Sequence, residues 1–391
     1  MRLIGGRGHL TYCTNIHPGE SWEDSFAALA AHLPIVKRAI CPDQPFGVGL
    51  RVSALAATQL SAPDILARFQ GFLAGHRLYV FTINGFPYGT FHGTRVKTSV
   101  YRPDWRDPAR LAYTNRLADL LAALLPDGET GSISTVPCGW AADFDPDSID
   151  LVVEHLLRAA VHLHQLHRRT GKVLTLALEP EPGCFLDATA DAKPLFDRLR
   201  GHDAVARFAG LAGATPSEAQ AALHRHLGLC LDLCHLAVGF ERPADSLALL
   251  RDEGIAVFKL QVSAGLRLSP AAAAALAPFD DGVYLHQATA RRGADILRFT
   301  DLDDVRACTK ARDAEEWRVH VHVPLWADHF GALGSTADIT AECLALHAAA
   351  PVCQHLEVET YTWDVLPAAL RPCDLDTAIV KELQWTIRQL G

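Results

Sequence analysis

A rhythm constrains this chain more than any other feature. Short, near-continuous apolar runs recur along it, and each is followed by a stretch carrying helix-capping residues. The runs at 9–13, 47–52, 78–83, 132–136, 173–179, 227–233, 255–262, 318–323 and 355–359 lack the polar–apolar alternation of a half-exposed strand. They read as strands buried on both faces, as in parallel sheets. Helix starts lie between them. Ser61-Ala62-Pro63-Asp64 and Thr215-Pro216-Ser217-Glu218 are capping-box-like, and Asp107-Pro108 opens a helical pattern over 109–125. Patterns over 147–169 and 244–253 stop near Gly171 and Gly254. Alternating β and α elements imply right-handed crossovers, in either an open doubly wound sheet or a closed eight-fold barrel.

Two observations favour the (β/α)8 barrel, as a single domain over 1–391. No G-x-G-x-x-G follows the first strand, so the commonest cofactor signature of open sheets is missing. Polar residues also close many of the runs: Asn15 and His17, Ser53, Asn84, Glu179, Asp232, Gln261 and Glu359. A barrel gathers all its C-terminal strand ends around one mouth, whereas an open sheet concentrates ligand groups at a switch point. Nine runs for eight places leave one of 318–323 and 355–359 as accessory. Residues 263–300 read as an insertion over the mouth, after the seventh strand.

Composition then removes whole classes of function. A chain of 391 residues that is 49% hydrophobic buries a large core, which excludes disorder. The net charge of −9 argues against nucleic acid as the main partner, because neutralising phosphates takes clustered Lys and Arg. No apolar run approaches the ~20 residues of a membrane helix, so no membrane insertion is expected. The N-terminal residues have no signal-peptide plan. The ten cysteines include no C-x-x-C pair and are read as buried apolar residues in the reducing cytoplasm. Oligomeric state is not legible.

Four strand ends carry the chemistry. Leu178-Glu179-Pro180-Glu181-Pro182-Gly183 runs an apolar strand into two carboxylates, and Asp232-Leu233-Cys234-His235 places an acid and an imidazole three apart. Lys259, Gln261 and Ser263 share a face, as do Glu357 and Glu359. Each acid could equally cap the next helix. A Lys in a buried strand and two acids on one buried face are harder to dismiss, since isolated charges are costly there. A divalent cation is the simplest agent that makes several buried acids tolerable together. His320 and His322 also alternate along a run and share a face, suiting metal or substrate contacts or a hydrogen-bonded core. His17 and His92 lie in loops near strand ends. The aromatics Phe86, Tyr88, Phe91, Tyr101, Trp105, Tyr361 and Trp363 stack on a flat ligand or pack loops.

The order of these motifs resembles the xylose-isomerase-like barrel superfamily, which includes sugar-phosphate isomerases and epimerases, endonuclease IV and the UV-damage endonucleases. Within it the chain most resembles the EboE-type metabolite-traffic family. The resemblance rests on Thr11-Tyr12-Cys13-Thr14-Asn15-Ile16-His17-Pro18-Gly19-Glu20, Thr82-Ile83-Asn84-Gly85-Phe86-Pro87, the Glu179 segment above, Lys259-Leu260-Gln261-Val262-Ser263, His320-Val321-His322-Val323-Pro324 and Glu357-Val358-Glu359-Thr360-Tyr361-Thr362-Trp363.

The resemblance implies Glu179, Asp232 and Glu359 as metal carboxylates and His235 as a second-metal ligand or substrate contact. Gln261 stands where the superfamily usually has His. An amide oxygen is a harder, weaker ligand than imidazole and shifts preference from Zn²⁺ toward Mn²⁺ or Mg²⁺, unless the site now only binds. His286 lies where the nuclease branch places another ligand. The expected activity is metal-dependent isomerisation or epimerisation of a small polyhydroxylated or carbonyl metabolite. Glu179 or Glu181 would move the proton, and Lys259 would stabilise developing enediolate charge. Asn84, His286, His320, His322, Glu357 and Trp363 are the candidate substrate contacts. A non-catalytic metabolite binder and a zinc-dependent phosphodiesterase are the alternatives.

Overall fold

A computed structural model describes residues 1–90, 96–145, 147–363, 366–367, 371 and 373–391. Eight strands run parallel: β1 His9–Tyr12, β2 Phe46–Arg51, β3 Leu78–Asn84, β4 Thr130–Thr135, β5 Val173–Leu178, β6 Leu227–Asp232, β7 Val257–Val262 and β8 His355–Val358. Their spatial order is β1-β8-β7-β6-β5-β4-β3-β2. At the seam between β1 and β2, Cys13 pairs with Gly49 in parallel. There the Thr11 hydroxyl donates to Gly47 O at 2.7 Å and accepts from Gly49 N at 3.2 Å. The sheet is a nearly closed barrel with helices between its strands, and its strands are buried on both faces as their composition requires.

The helix signals are mostly as expected. Thr215 and Glu218 form a reciprocal capping box for the helix Pro216–His226, and Asp107 caps Pro108–Leu124. Gly171, at φ 72°, ends Ser148–Thr170 in the left-handed region that glycine adopts without strain. Ser61 is a correction. It closes the preceding helix Ala54–Leu60, where its hydroxyl donates to Ala57 O, and the helix Pro63–Gly75 starts without a side-chain cap.

The ninth run resolves in favour of 355–359. The stretch Glu316–Val319 lies outside the barrel, in a six-stranded antiparallel sheet with Leu266–Leu268, Ala288–Arg292, Asp295–Phe299, His329–Phe330 and Leu333–Ser335. The excursion after β7 therefore runs on to Ser335, past the expected limit at 300. Trp317 and Val319 are buried by this second sheet, which is why the run reads like a core strand. No helix among the described residues is long and apolar enough to cross a membrane.

Candidate metal centre

The floor of the barrel interior sets what can sit above it. Lys259 on β7 and Glu357 on β8 are fully buried and meet at 2.5 Å. Glu357 lies so close to the β1–β2 seam that a Cβ on Gly49 would meet its Oε1 at 1.8 Å. Only glycine leaves that space. Burial opposes the Lys259 charge, but the adjacent Glu357 carboxylate outweighs it and holds the ammonium pKa above its ordinary value. Neither residue lines the cavity above. This corrects two expectations: Lys259 is committed to Glu357 and is not placed to stabilise substrate charge, and Glu357 is its counter-ion and not a substrate contact.

One residue further along the inward face, Gln261 stands in register with Asp232 on β6 and Glu357 on β8. It is fully buried, and neither its Oε1 nor its Nε2 has a hydrogen-bond partner. Three carboxylates gather at this level. Glu179, Asp232 and Glu359 each bring an oxygen within 4.8 Å of the other two. Asp232 divides its oxygens between two tasks. Its Oδ1 accepts from His235 N at 3.0 Å, capping the helix Leu233–Val238, and from Ser263 Oγ at 2.7 Å, while Oδ2 has no hydrogen-bond partner. Capping occupies Oδ1 and leaves Oδ2 open. Glu359 Oε1 accepts from Asn15 Nδ2 at 2.6 Å and Asn84 Nδ2 at 2.9 Å, and Glu179 Oε2 is unpaired.

Beside the carboxylates lie three imidazoles with matched orientation. His235 Nδ1 faces Pro180 O at 3.0 Å, His322 Nδ1 faces Glu359 O at 2.8 Å, and His320 Nδ1 faces Gln287 Oε1 at 2.8 Å. Those partners only accept, so each Nδ1 carries a proton, and a neutral ring would present its Nε2 lone pair. Gln287 is oriented by its own donors, since its Nε2 reaches Tyr101 Oη, Glu181 Oε1 and Pro182 O at 2.8, 2.9 and 3.1 Å. The Nε2 atoms of His235 and His320 are 3.2 Å apart, and His322 Nε2 has no hydrogen-bond partner. Two lone pairs at that distance repel unless a proton or a cation lies between them.

The electrostatics agree. Burial, reinforced by Glu359 and Asp232, lifts the Glu179 pKa well above the usual carboxylate range, and burial with Asp232 and Glu357 does the same for Glu359. Burial also raises Glu181. Burial opposes ionisation of Asp232 too, but His235, His322 and the two hydrogen bonds to Oδ1 outweigh it and hold this acid low. Burial, joined by repulsion from the neighbouring imidazoles, pushes the pKa values of His320 and His322 down. Imidazoles whose Nδ1 atoms are held by partners, converging on unsatisfied carboxylates, fit a divalent metal. Asp232, His235 and His322 form one group of compatible ligands, and Glu181, His235 and His320 another.

Above this cluster opens a cavity with ≈ 540 Å³ of empty space. Asn15, Asn84, Glu179, Glu181, His235, His320, His322 and Glu359 form its polar side. Two further candidates lie elsewhere and are corrected. His286 is buried between Asp281 (3.3 Å) and Asp301 (3.7 Å), which overcome burial and raise its pKa, and it does not line the cavity. Trp363 packs toward Trp326, with ring centroids 6.5 Å apart. Of the aromatics, Phe86, Tyr101 and Tyr361 line the cavity, whereas Tyr88 packs on Tyr113 and Trp105 donates to Thr135. His17 stacks on His32. Phe91 and His92 lie outside the described residues. Gln287 is the residue that sequence reasoning missed, because a single amide inside an insertion carries no pattern.

No family model and no curated protein matches the chain. Solved structures that superpose on it include the following three. The probable 3-DHS dehydratase AsbF of Bacillus anthracis matches with a TM-score of 0.47 and 13% identity over 96% of this chain and 97% of that one. The IolI protein with a bound zinc atom gives 0.49 and 10% over 98% of both chains. D-allulose 3-epimerase from Methylomonas sp. gives 0.49 and 12%, again over 98% of both. The barrel assignment rests on this chain's own strand order and closure.

Proposed function

We propose that this chain is a cytoplasmic, divalent-metal-dependent isomerase or epimerase acting on a small carbonyl or polyhydroxylated metabolite. The observation that carries the reading is the set of buried, unsatisfied ligand atoms at one strand-end level: Glu179 Oε2, Asp232 Oδ2, His322 Nε2 and both ends of Gln261. Buried polar atoms in folded proteins are nearly always satisfied, so such a cluster marks a missing partner. Glu179, Asp232, Glu359 and the imidazoles would hold the ion, with Gln261 as the hard donor that favours Mn²⁺ or Mg²⁺ over Zn²⁺. A bound divalent cation supplies Lewis-acid polarisation of a carbonyl oxygen.

The chain's own groups then account for proton movement. Glu181 lines the cavity with Tyr101 and Gln287 donating to its Oε1, and burial raises its pKa, which suits a carboxyl that accepts and returns a proton. Glu179 is the second candidate for the opposite face. The EboE-type metabolite-traffic assignment is part of this proposal and is supported by the sequence segments alone. A non-catalytic binder is the second reading, favoured by Gln261, whose amide replaces an imidazole. Phosphodiester cleavage is disfavoured: among the described lining residues Lys97 is the one Lys or Arg, and it is paired with Asp301 at 2.6 Å.

The test is Asp232→Asn. Asn still caps the helix Leu233–Val238, so the fold should persist while one charged ligand common to two groups disappears. Wild-type protein should gain about 3 kcal/mol of stability at metal concentrations ~100-fold above Kd, and the variant should show no metal-dependent rise in Tm. An equal rise in both proteins would show that Asp232 is a cap only.

A further inference from the structure

We infer that the ligand of this cavity is amphipathic and unphosphorylated, with adjacent oxygens at one end and a ring or branched hydrocarbon at the other. This deepens the metal-centre reading and rests on it. The cavity has two unlike sides. Carboxylates and imidazoles occupy the side toward the strand ends, while Phe86, Pro87, Val100, Tyr101, Leu285 and Tyr361 line the other. A ligand covered with hydroxyl groups would leave several of them facing carbon, where an unpaired hydroxyl is costly. A ligand with an apolar portion removes both surfaces from water.

The apolar side is built and not a chance gap. Four separate segments make it: the turn after β3, the loop after β8 that carries Tyr361, the 3-10 helix Lys97–Tyr101 and the excursion around Tyr284. The last two are tied together. Val96 N and Lys97 N donate to Val283 O at 2.9 and 3.2 Å, and Lys97 Nζ meets Asp301. Asp301 also faces His286, which sits between it and Asp281, while Asp281 Oδ1 accepts from Val283 N and Tyr284 N. The charged groups behind the wall are thus spent on holding Tyr284 and Leu285 against the cavity. With Lys97 so occupied, no lining Lys or Arg among the described residues is free to receive a phosphate. Phosphate recognition uses such cations or a helix N-terminus.

Two hydroxamates test the inference, because both chelate metal through the same pair of oxygens and differ only in what they carry. Calorimetric titration of Mn²⁺-loaded protein should show benzohydroxamate binding about tenfold or more tighter than acetohydroxamate, from the extra apolar area covered. Leu285→Ala and Phe86→Ala should each reduce that ratio, and Mn²⁺ uptake equal to wild type certifies a folded metal site in both variants. Phosphonoacetohydroxamate should bind more weakly than acetohydroxamate. Equal affinity for the phenyl and methyl probes, a ratio insensitive to both variants, or tighter binding of the phosphonate would overturn the inference while leaving the metal centre standing. Failure of the protein to take up Mn²⁺ at all would remove the metal reading, and this inference with it.

Discussion

The two ends of the barrel bury similar residue types and treat them differently. At the N-terminal end His9 Nδ1 meets Tyr79 Oη at 2.7 Å and its Nε2 meets Glu129 at 3.2 Å, and Glu129 also pairs with Arg2. His355 Nδ1 meets Ser132 Oγ at 2.7 Å, and Ser132 is joined to Thr82 at 2.8 Å. At the C-terminal end Glu179, Asp232, Gln261 and His322 all keep atoms without hydrogen-bond partners. The basal end nevertheless has the larger cavity, ≈ 1490 Å³ of empty space against ≈ 540 Å³, and none of the residues lining it carries an unsatisfied buried side-chain atom among those described. Neither burial of polar groups nor size of cavity identifies a site here. A cluster of unmet hydrogen-bonding capacity is what sets the C-terminal end apart, whereas single unsatisfied atoms such as His226 Nε2, just before β6, occur elsewhere.

The Lys259–Glu357 pair separates the two ends, and breaking it is the harshest test of the comparison. Lys259→Met leaves a buried carboxylate without its counter-ion, and urea unfolding should show a loss of about 3–5 kcal/mol. Adding Glu357→Gln should recover much of that loss. A single-variant loss below about 1 kcal/mol would mean that Glu357 is protonated in the fold and that the layer is not an ion pair.

The basal network should respond to pH as a satisfied, neutral system. Burial, with the charges of His9 and Lys259 adding to it, lowers the His355 pKa to about 3. Its folded value lies below the unfolded value near 6.5, so it contributes stability in full above pH 6.5 and loses it as pH falls toward 3. His355→Gln removes this titration. The variant's stability deficit should therefore shrink by about 2 kcal/mol between pH 7 and pH 4.5. A deficit that stays constant would show that the ring is charged in the folded protein.

Much of this was legible in the sequence, and the failures have physical causes. The barrel strands, Gly171 and the strand-end acids were readable because doubly buried strands and left-handed turns leave local signatures. Asp232 was readable both as cap and as ligand; its Oδ1 caps the helix and its Oδ2 is left without a hydrogen-bond partner. The stretch 318–323 misled because Val319, Val321 and Val323 are buried like barrel-strand residues, although only its first two residues lie in a strand, the antiparallel Glu316–Val319. Lys259 was recognised as unusual, but its partner on the neighbouring strand is 98 residues away, and no local pattern says which acid will meet it. His286 failed for the same reason: Asp281 and Asp301 bracket it only after the excursion has folded.

Gln287 sharpens the comparison at the open end, since it fixes the ring that the cavity uses. It accepts the His320 Nδ1 proton and donates toward Glu181. Gln287→Leu should weaken zinc binding about 10–100-fold by releasing that imidazole, with a smaller effect on folding. Cobalt substitution gives a readout that a merely structural role would not move, because a lost or rotated imidazole changes the ligand-field spectrum. An unaltered spectrum and affinity would place His320 outside the metal's ligand set.

The smallest expected effect falls on Gln261 and decides most between enzyme and binder. Its amide is fully buried with both ends unsatisfied, in register with Asp232 and Glu357. If that amide serves a metal, Gln261→His replaces a hard oxygen donor with an imidazole at the same strand end, and zinc affinity should rise by about tenfold. The imidazole is shorter than the glutamine side chain but reaches a similar depth, so the carboxylates of Glu179, Asp232 and Glu359 need not shift far. If the amide serves only a ligand, the substitution should leave zinc affinity flat, because no donor has been exchanged. Titration of both proteins with zinc at one pH separates the outcomes, and the pH must be held because metal uptake displaces protons from Glu179 and Glu359, whose pKa values are raised. A flat result would make the open end of this barrel a place where a metabolite is held, with the unsatisfied carboxyls waiting for its hydroxyl groups in place of a cation.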